Sequence, residues 1–160
     1  MWRLLWIPVA VIVADQLTKH LALLYLAAGD MPITSFFRFA LAFNTGAAFS
    51  FLADAGGWQN LFFVGVAVAV SVIILFMFRK LESKDMQLAV ALMLVLGGAI
   101  GNVVDRLRFG YVVDFIDVYY QHWHWPTFNI ADSAISIGAV LLILDAFGLS
   151  LFRRSAGSPS

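Results

Sequence analysis

The sequence predicts an α-helical membrane protein with four transmembrane helices and a small outward-facing β element. Three observations lead there. Of 160 residues, 62% are hydrophobic and only 12% charged, whereas soluble domains carry roughly a quarter of charged residues. The apolar residues gather in four runs, 4–26, 61–78, 88–104 and 130–152, each near the roughly 20 residues that a helix needs to cross about 30 Å of hydrocarbon. Between the first two runs, Phe37, Phe39, Leu41 and Phe43 alternate with Arg38, Ala40, Ala42 and Asn44, the period-two pattern of a half-buried strand.

The first run follows Arg3 and ends in Leu26-Ala27-Ala28-Gly29, which imitates a cleavable export signal. Asp15, Gln16, Lys19 and His20 argue against that, because a signal's apolar core carries no such polar cluster. Asp15 and Lys19 stand four residues apart, on one helical face, where they can pair. Ionisable groups at that depth face the bundle interior or a functional cavity, so the pair is either structural or part of a site. The second run is free of charge and bounded by Trp58 and by Arg79-Lys80. In the third, Gly97 and Gly101 form a Gly-x-x-x-Gly face for close helix contact rather than a nucleotide loop. Four spans put both termini on one side, with Arg3, Arg79, Lys80, Lys84, Arg153 and Arg154; the other side holds Arg38, Arg106 and Arg108. The positive-inside rule makes the termini cytoplasmic. Residues 1–152 are expected as one integral membrane domain and residues 153–160 as a disordered cytoplasmic tail.

Composition also narrows the chemistry. With no cysteine, disulfides, thiol nucleophiles and Cys-based metal sites are excluded. Glu82 is the only glutamate, so no His-Glu-x-x-His zinc helix exists, and there is no Gly-x-Ser-x-Gly nucleophile elbow. A formal net charge of zero gives no reason to expect nucleic acid.

The topology brings Asn44, Asn102, Arg106, Asp114, Asn129 and Asp132 to the outer membrane boundary. Asp114 lies in Val112-Val113-Asp114-Phe115-Ile116 and Asp132 in Phe128-Asn129-Ile130-Ala131-Asp132-Ser133. A carboxylate among Val, Ile and Phe is costly to ionise, and two close together tend to share one proton. Such a pair serves acid/base chemistry. The same residues also fit a plainer reading, in which Asp132 is the third residue of a helix capped by Asn129 and Asp114 ends a strand. If 111–120 is extended, Asp114 and Asp117 point to opposite faces and cannot serve one site. Asn44-Thr45-Gly46-Ala47-Ala48-Phe49 reads as a turn or as a ledge for an extended peptide. His122 and His124, among Tyr119, Tyr120, Trp123 and Trp125, read as an interfacial aromatic belt rather than metal ligands, and neither metal nor cofactor is expected. Asp145 has no role that the pattern supplies.

These residues carry a resemblance. Asn44-Thr45-Gly46-Ala47-Ala48-Phe49, Gly101-Asn102-x-x-Asp105-Arg106, Gly110-x-Val112-Val113-Asp114-Phe115 and Phe128-Asn129-x-Ala131-Asp132-Ser133, with Asp15-Gln16-x-x-Lys19 before them, follow the order and spacing of the bacterial lipoprotein signal peptidase, signal peptidase II. The chain resembles that family over nearly its whole length. The resemblance implies an intramembrane aspartyl endopeptidase that cleaves prolipoproteins N-terminal to a diacylglyceryl-modified cysteine. Its catalytic dyad would fall on Asp114 and Asp132, with Asn44, Gly46, Asn102, Arg106, Asn129, Asp15 and Lys19 as substrate-binding or supporting residues. It further implies a monomer in the bacterial inner membrane, in contact with lipid, with its site near the periplasmic face. The helix macrodipole favours Asp132 as the anion, so Asp132 is expected as base and Asp114 as the protonated partner. The competing class is a proton-coupled transporter, which would place ionisable groups at the midplane of several spans; here only Asp15 comes close.

Overall fold

The computed structural model describes residues 1–46 and 58–152. A 3-10 turn at Trp2–Leu5 leads into α1 (Trp6–Tyr25), β1 (Met31–Pro32) and β2 (Phe37–Asn44). Then come α2 (Trp58–Phe78), α3 (Met86–Phe109), β3 (Val112–Tyr120), β4 (Trp123–His124) and α4 (Ile130–Ala146). Ala47, Ala48 and Phe49 of the expected ledge, Arg153, Arg154 and the tail at 153–160 lie outside the described residues.

Helix α3 is the axis, packing against α1, α2 and α4. Its Ala89, Leu92, Met93 and Leu96 join Ile7 of α1 and Ile74 and Phe78 of α2 in the main core. Helix α2, by contrast, exposes Leu61, Phe62, Val66, Val72, Ile73 and Phe76, an apolar surface suited to lipid rather than water. The Gly-x-x-x-Gly face works as packing. A Cβ at Gly97 would stand 2.8 Å from Val11 Cβ, and one at Gly101 would stand 2.8 Å from Asp15 Oδ2, so side chains there would drive α1 away from α3 and displace Asp15.

Among the described residues, three helical segments are long and apolar enough to cross a membrane: Trp2–Tyr25, Trp58–Phe78 and Ser83–Phe109. The expected run 130–152 is not one helix. Helix α4 has 17 residues and stops at Ala146, where Gly148 adopts φ 72° and the amides of Phe147 and Gly148 turn back to Ile143 and Asp145 carbonyls. Apolar composition continues past this point, but a left-handed glycine ends the helix regardless. The third run is longer than expected. Helix α3 continues to Phe109 before Gly110 ends it at φ 82°, so Asn102, Asp105 and Arg106 sit on its last two turns.

The strands form one antiparallel sheet in the order β1-β2-β3-β4. Strand β2 does not keep the simple alternation read from the sequence. Its register against β3 shifts between Phe39 and Ala42, with Arg38 opposite Asp117 and Ala42 opposite Asp114. Unbroken alternation would place Arg38 and Asn44 on one face; the bulge sends Arg38 to the face of Asp117 and Asn44 to the face of Asp114. Phe39 and Phe115 pack with Ala22 and Leu26, which seats the sheet on the end of α1.

Candidate active site

Helix α4 begins with a capping box that doubles as half of a site. Asn129 Oδ1 accepts from Asp132 N at 2.9 Å, and Asn129 N donates to Asp132 Oδ2 at 3.3 Å. These bonds satisfy amides that a helix start leaves unpaired. The other oxygen of Asp132 faces away from the cap and accepts from Asn102 Nδ2 of α3 at 2.7 Å. The two readings of Asp132 left open by the sequence therefore coexist.

Asp114, 1% exposed, reaches the same place from β3. Asn129 Nδ2 donates to its Oδ1 at 2.6 Å and Asn44 Nδ2 donates to its Oδ2 at 3.1 Å. Asn44 is in turn set by an Asx turn, its Oδ1 accepting from Gly46 N at 2.9 Å. Gly46 has φ 84° and packs so closely on Phe63 of α2 that a Cβ there would strike the ring. Burial and then the charge of Asp132 push the Asp114 carboxyl up to about 6, against the pull of the Asn44 and Asn129 hydrogen bonds. Asp114 is the enclosed carboxyl of the two; Asp132 is partly exposed.

Behind the two carboxyls lies a buried polar layer. Lys19 Nζ donates to Asp15 Oδ2 at 2.8 Å, Asp105 Oδ2 at 2.9 Å and Asn102 Oδ1 at 3.0 Å. Asn129 Nδ2 also approaches Asn102 Oδ1 at 3.2 Å. Asp15 crosses to α4, its Oδ1 accepting from Ala131 N at 3.0 Å. The Asp15–Lys19 pair expected from i,i+4 spacing is present, and it reaches Asn102 directly and Asn129 through Asn102. Arg106 lies beside this group with its guanidinium 5.2 Å over the Phe63 ring, while Asp132, Asp114 and Asp105 are the carboxylates acting on its charge. All nine residues singled out from the sequence thus meet around one spot.

Asp117 belongs elsewhere. It accepts from Arg38 Nε at 2.6 Å, and His124 Nδ1 sits 2.9 Å from its Oδ1. Burial alone would raise this carboxyl, but the bonds from His124 and Arg38 outweigh it and hold it below the usual range. Among the described residues no group of three or more His, Asp or Glu is placed to hold a metal.

Sequence reasoning gave no role to one member of the layer, although it stands in the Gly101-Asn102-x-x-Asp105-Arg106 motif. Asp105, 1% exposed, accepts from Gln16 Nε2 at 2.8 Å and from Val113 N at 3.0 Å in addition to Lys19. The signal was there: Asp105 is four residues from Gly101 and three from Asn102, on the face that packs against α1. Ending the third run at Val104 hid it.

The sequence matches the family model of signal peptidase (SPase) II over residues 7–148. The chain belongs to the signal peptidase II family. Relatives within it include the lipoprotein signal peptidase of Pseudoalteromonas atlantica, 49% identical over 146 residues, which are 91% of this chain and 89% of that one. The lipoprotein signal peptidase of Acinetobacter baumannii is 50% identical over 154 residues, 94% of this chain and 88% of its own. A solved bacterial membrane enzyme superposes with a TM-score of 0.81 at 29% identity, covering 94% of this chain and 96% of the other. Signal peptidase II is an aspartic-type peptidase, so this chain is a hydrolase with membrane-spanning helices, and the site geometry is to be read as peptidase chemistry.

Proposed function

We propose that this protein removes the signal peptide from prolipoproteins, cutting N-terminal to the diacylglyceryl-modified cysteine, with Asp114 and Asp132 as the catalytic pair. The observation that carries the reading is the single asparagine, Asn129, bound to both carboxyls, one enclosed and raised to about 6, the other partly open. The names of the relatives point to the same substrate.

Hydrolysis of a peptide bond needs a base for water and an acid for the carbonyl oxygen or leaving amine. Asp132, partly exposed and at the positive end of α4, acts as the base. It takes a proton as the water oxygen attacks the carbonyl carbon. Asp114, the enclosed carboxyl, enters protonated and donates to the developing oxyanion. On collapse the C–N bond breaks, the proton held by Asp132 passes to the amine, and one hydroxyl proton of the intermediate returns to Asp114 as the new carboxyl forms, as in other carboxyl pairs that share one proton. Asn44 and Gly46, at the rim, and Arg106, on its Phe63 shelf, line the substrate approach; Asn102, Asn129, Asp15 and Lys19 support the pair.

In this reading α4, at 17 residues, is a short fourth span, and residues 1–152 form one peptidase domain in the bacterial inner membrane. Its termini are cytoplasmic by the distribution of cations, and the sheet and the carboxyl pair face the periplasmic side. The enzyme acts as a monomer in contact with lipid. Purified protein incubated with a diacylglyceryl-modified prolipoprotein should yield a product whose N-terminus is the modified cysteine. An intact precursor after prolonged incubation would overturn the reading.

A further inference from the structure

We propose that Asp105 is a positioning residue of the peptidase, holding Asp114 through the backbone and Asp132 through Lys19 and Asn102. The inference rests on the function just described and extends it to a residue outside the pair and its asparagines.

Asp105 occupies the last turns of α3, where the chain reverses at Gly110 and returns as β3. Its Oδ2 accepts from Val113 N at 3.0 Å. Val113 is fully buried, so this bond meets the need of an amide shut off from water, and it fixes the residue directly before Asp114. A shift of the Val113 backbone moves Asp114 with it. The same oxygen accepts from Lys19 Nζ at 2.9 Å, and its partner Oδ1 accepts from Gln16 Nε2 at 2.8 Å.

The second arm runs through the cation. Asp105 and Asp15 hold Lys19 so that its remaining donor meets Asn102 Oδ1 at 3.0 Å. An asparagine amide can flip, and its two ends differ in hydrogen-bond character. With its oxygen facing an ammonium, Asn102 must present Nδ2 to Asp132 Oδ1, the 2.7 Å bond observed. The oxygen also accepts from Asn129 Nδ2 at 3.2 Å, which keeps that amide turned with its nitrogen toward Asp114. One buried carboxylate thereby sets the backbone before one catalytic group and the amide orientations that hold both.

Asp105 does not touch the pair, so its effect should fall on the chemical step. Asp105→Asn places an NH2 against Lys19 or Gln16, both donors, and the network must rotate to relieve it. For folded protein the expected result is a fall in kcat on the order of 10²-fold, as for displacement of reacting groups, with KM changed by less than about two-fold. A hydroxyl-bearing mimic of the tetrahedral intermediate should lose affinity in step with kcat/KM, while an uncleavable substrate analogue binds as before. Because Asp105→Asn leaves the Lys19 cation with Asp15 as its remaining carboxylate partner, the paired variant Asp105→Asn/Lys19→Met is made alongside; it keeps the net charge of the buried layer as in wild type and should fold with a similar loss in kcat.

Wild-type protein and Asp114→Asn run in the same assay. If wild type cleaves and Asp114→Asn does not, the peptidase reading stands, and the Asp105 variants alone decide the proposal. Wild-type kcat in either folded variant would overturn it. A raised KM with unchanged kcat would make Asp105 a substrate-binding group, and loss of fold in both variants would make it a folding residue; either result also overturns it.

Discussion

Asn129 Nδ2 lies 2.6 Å from Asp114 Oδ1, and through its other atoms Asn129 also caps the helix that carries Asp132. Cap and arm can be separated by mutation. Asn129→Ser keeps a capping oxygen, so stability should fall by only a few tenths of a kcal/mol, whereas Asn129→Ala should lose about 1 kcal/mol. Both remove the arm to Asp114, and both should lower kcat by at least about tenfold if a misplaced acid is costly. Thermal unfolding in detergent beside single-turnover cleavage checks this; full activity in Asn129→Ser would show the arm to be idle.

Asp114 predicts a pH signature in stability. Its carboxyl is raised from the ordinary value to about 6, so the ionised form is the disfavoured one in the folded protein. The penalty is absent below the unfolded pKa of about 3.9, grows as pH rises, and is complete above about 6, where it reaches roughly 3 kcal/mol. Asp114→Asn cannot ionise. Wild type should therefore lose stability relative to this variant between pH 4 and pH 7, measured as a growing gap in melting temperature. Parallel curves across that range would contradict the raised pKa.

The rate should follow a bell in pH. At low pH both carboxyls are neutral and no base remains; at high pH both are charged and no acid remains. For kcat/KM the upper limb should lie near 6, the value for Asp114 in the free enzyme. In kcat it should move upward, because bound substrate excludes water and penalises the second charge further. An upper limb near 4 in both parameters would show that Asp114 is not the acid.

Asp117 supplies a control. It is bound to Arg38 and His124 on the opposite sheet face, so Asp117→Asn should leave kcat within a few-fold of wild type while loosening the sheet rim. A loss as deep as that of Asp114→Asn would mean that the wrong aspartate has been placed at the site.

The helices and the converging residues were legible in the sequence because the evidence of each lies in local spacing: apolar runs, the Asp15/Lys19 interval, and the Asn129/Asp132 box. What escaped depends on tertiary geometry. The β2 bulge leaves no mark on the alternation of Phe37 to Asn44, yet it decides that Asn44 and not Arg38 shares a face with Asp114. The end of α4 at Ala146 was hidden by the apolar residues beyond Gly148. Asp105 was given no role because its spacing from Gly101 and Asn102 shows only the face it occupies, while its partners come from α1 and from a backbone amide in β3.

The most direct test of the central claim is release of the signal peptide from a diacylglyceryl-modified prolipoprotein by wild type, Asp114→Asn and Asp132→Asn, each shown to be folded in detergent. An amide in place of either carboxyl can neither give nor take the proton at the site, so wild type should cleave, and each variant should fall by at least about 10³-fold in kcat, as expected for loss of general acid or base. Cleavage by either folded variant at a rate near that of wild type would contradict the account.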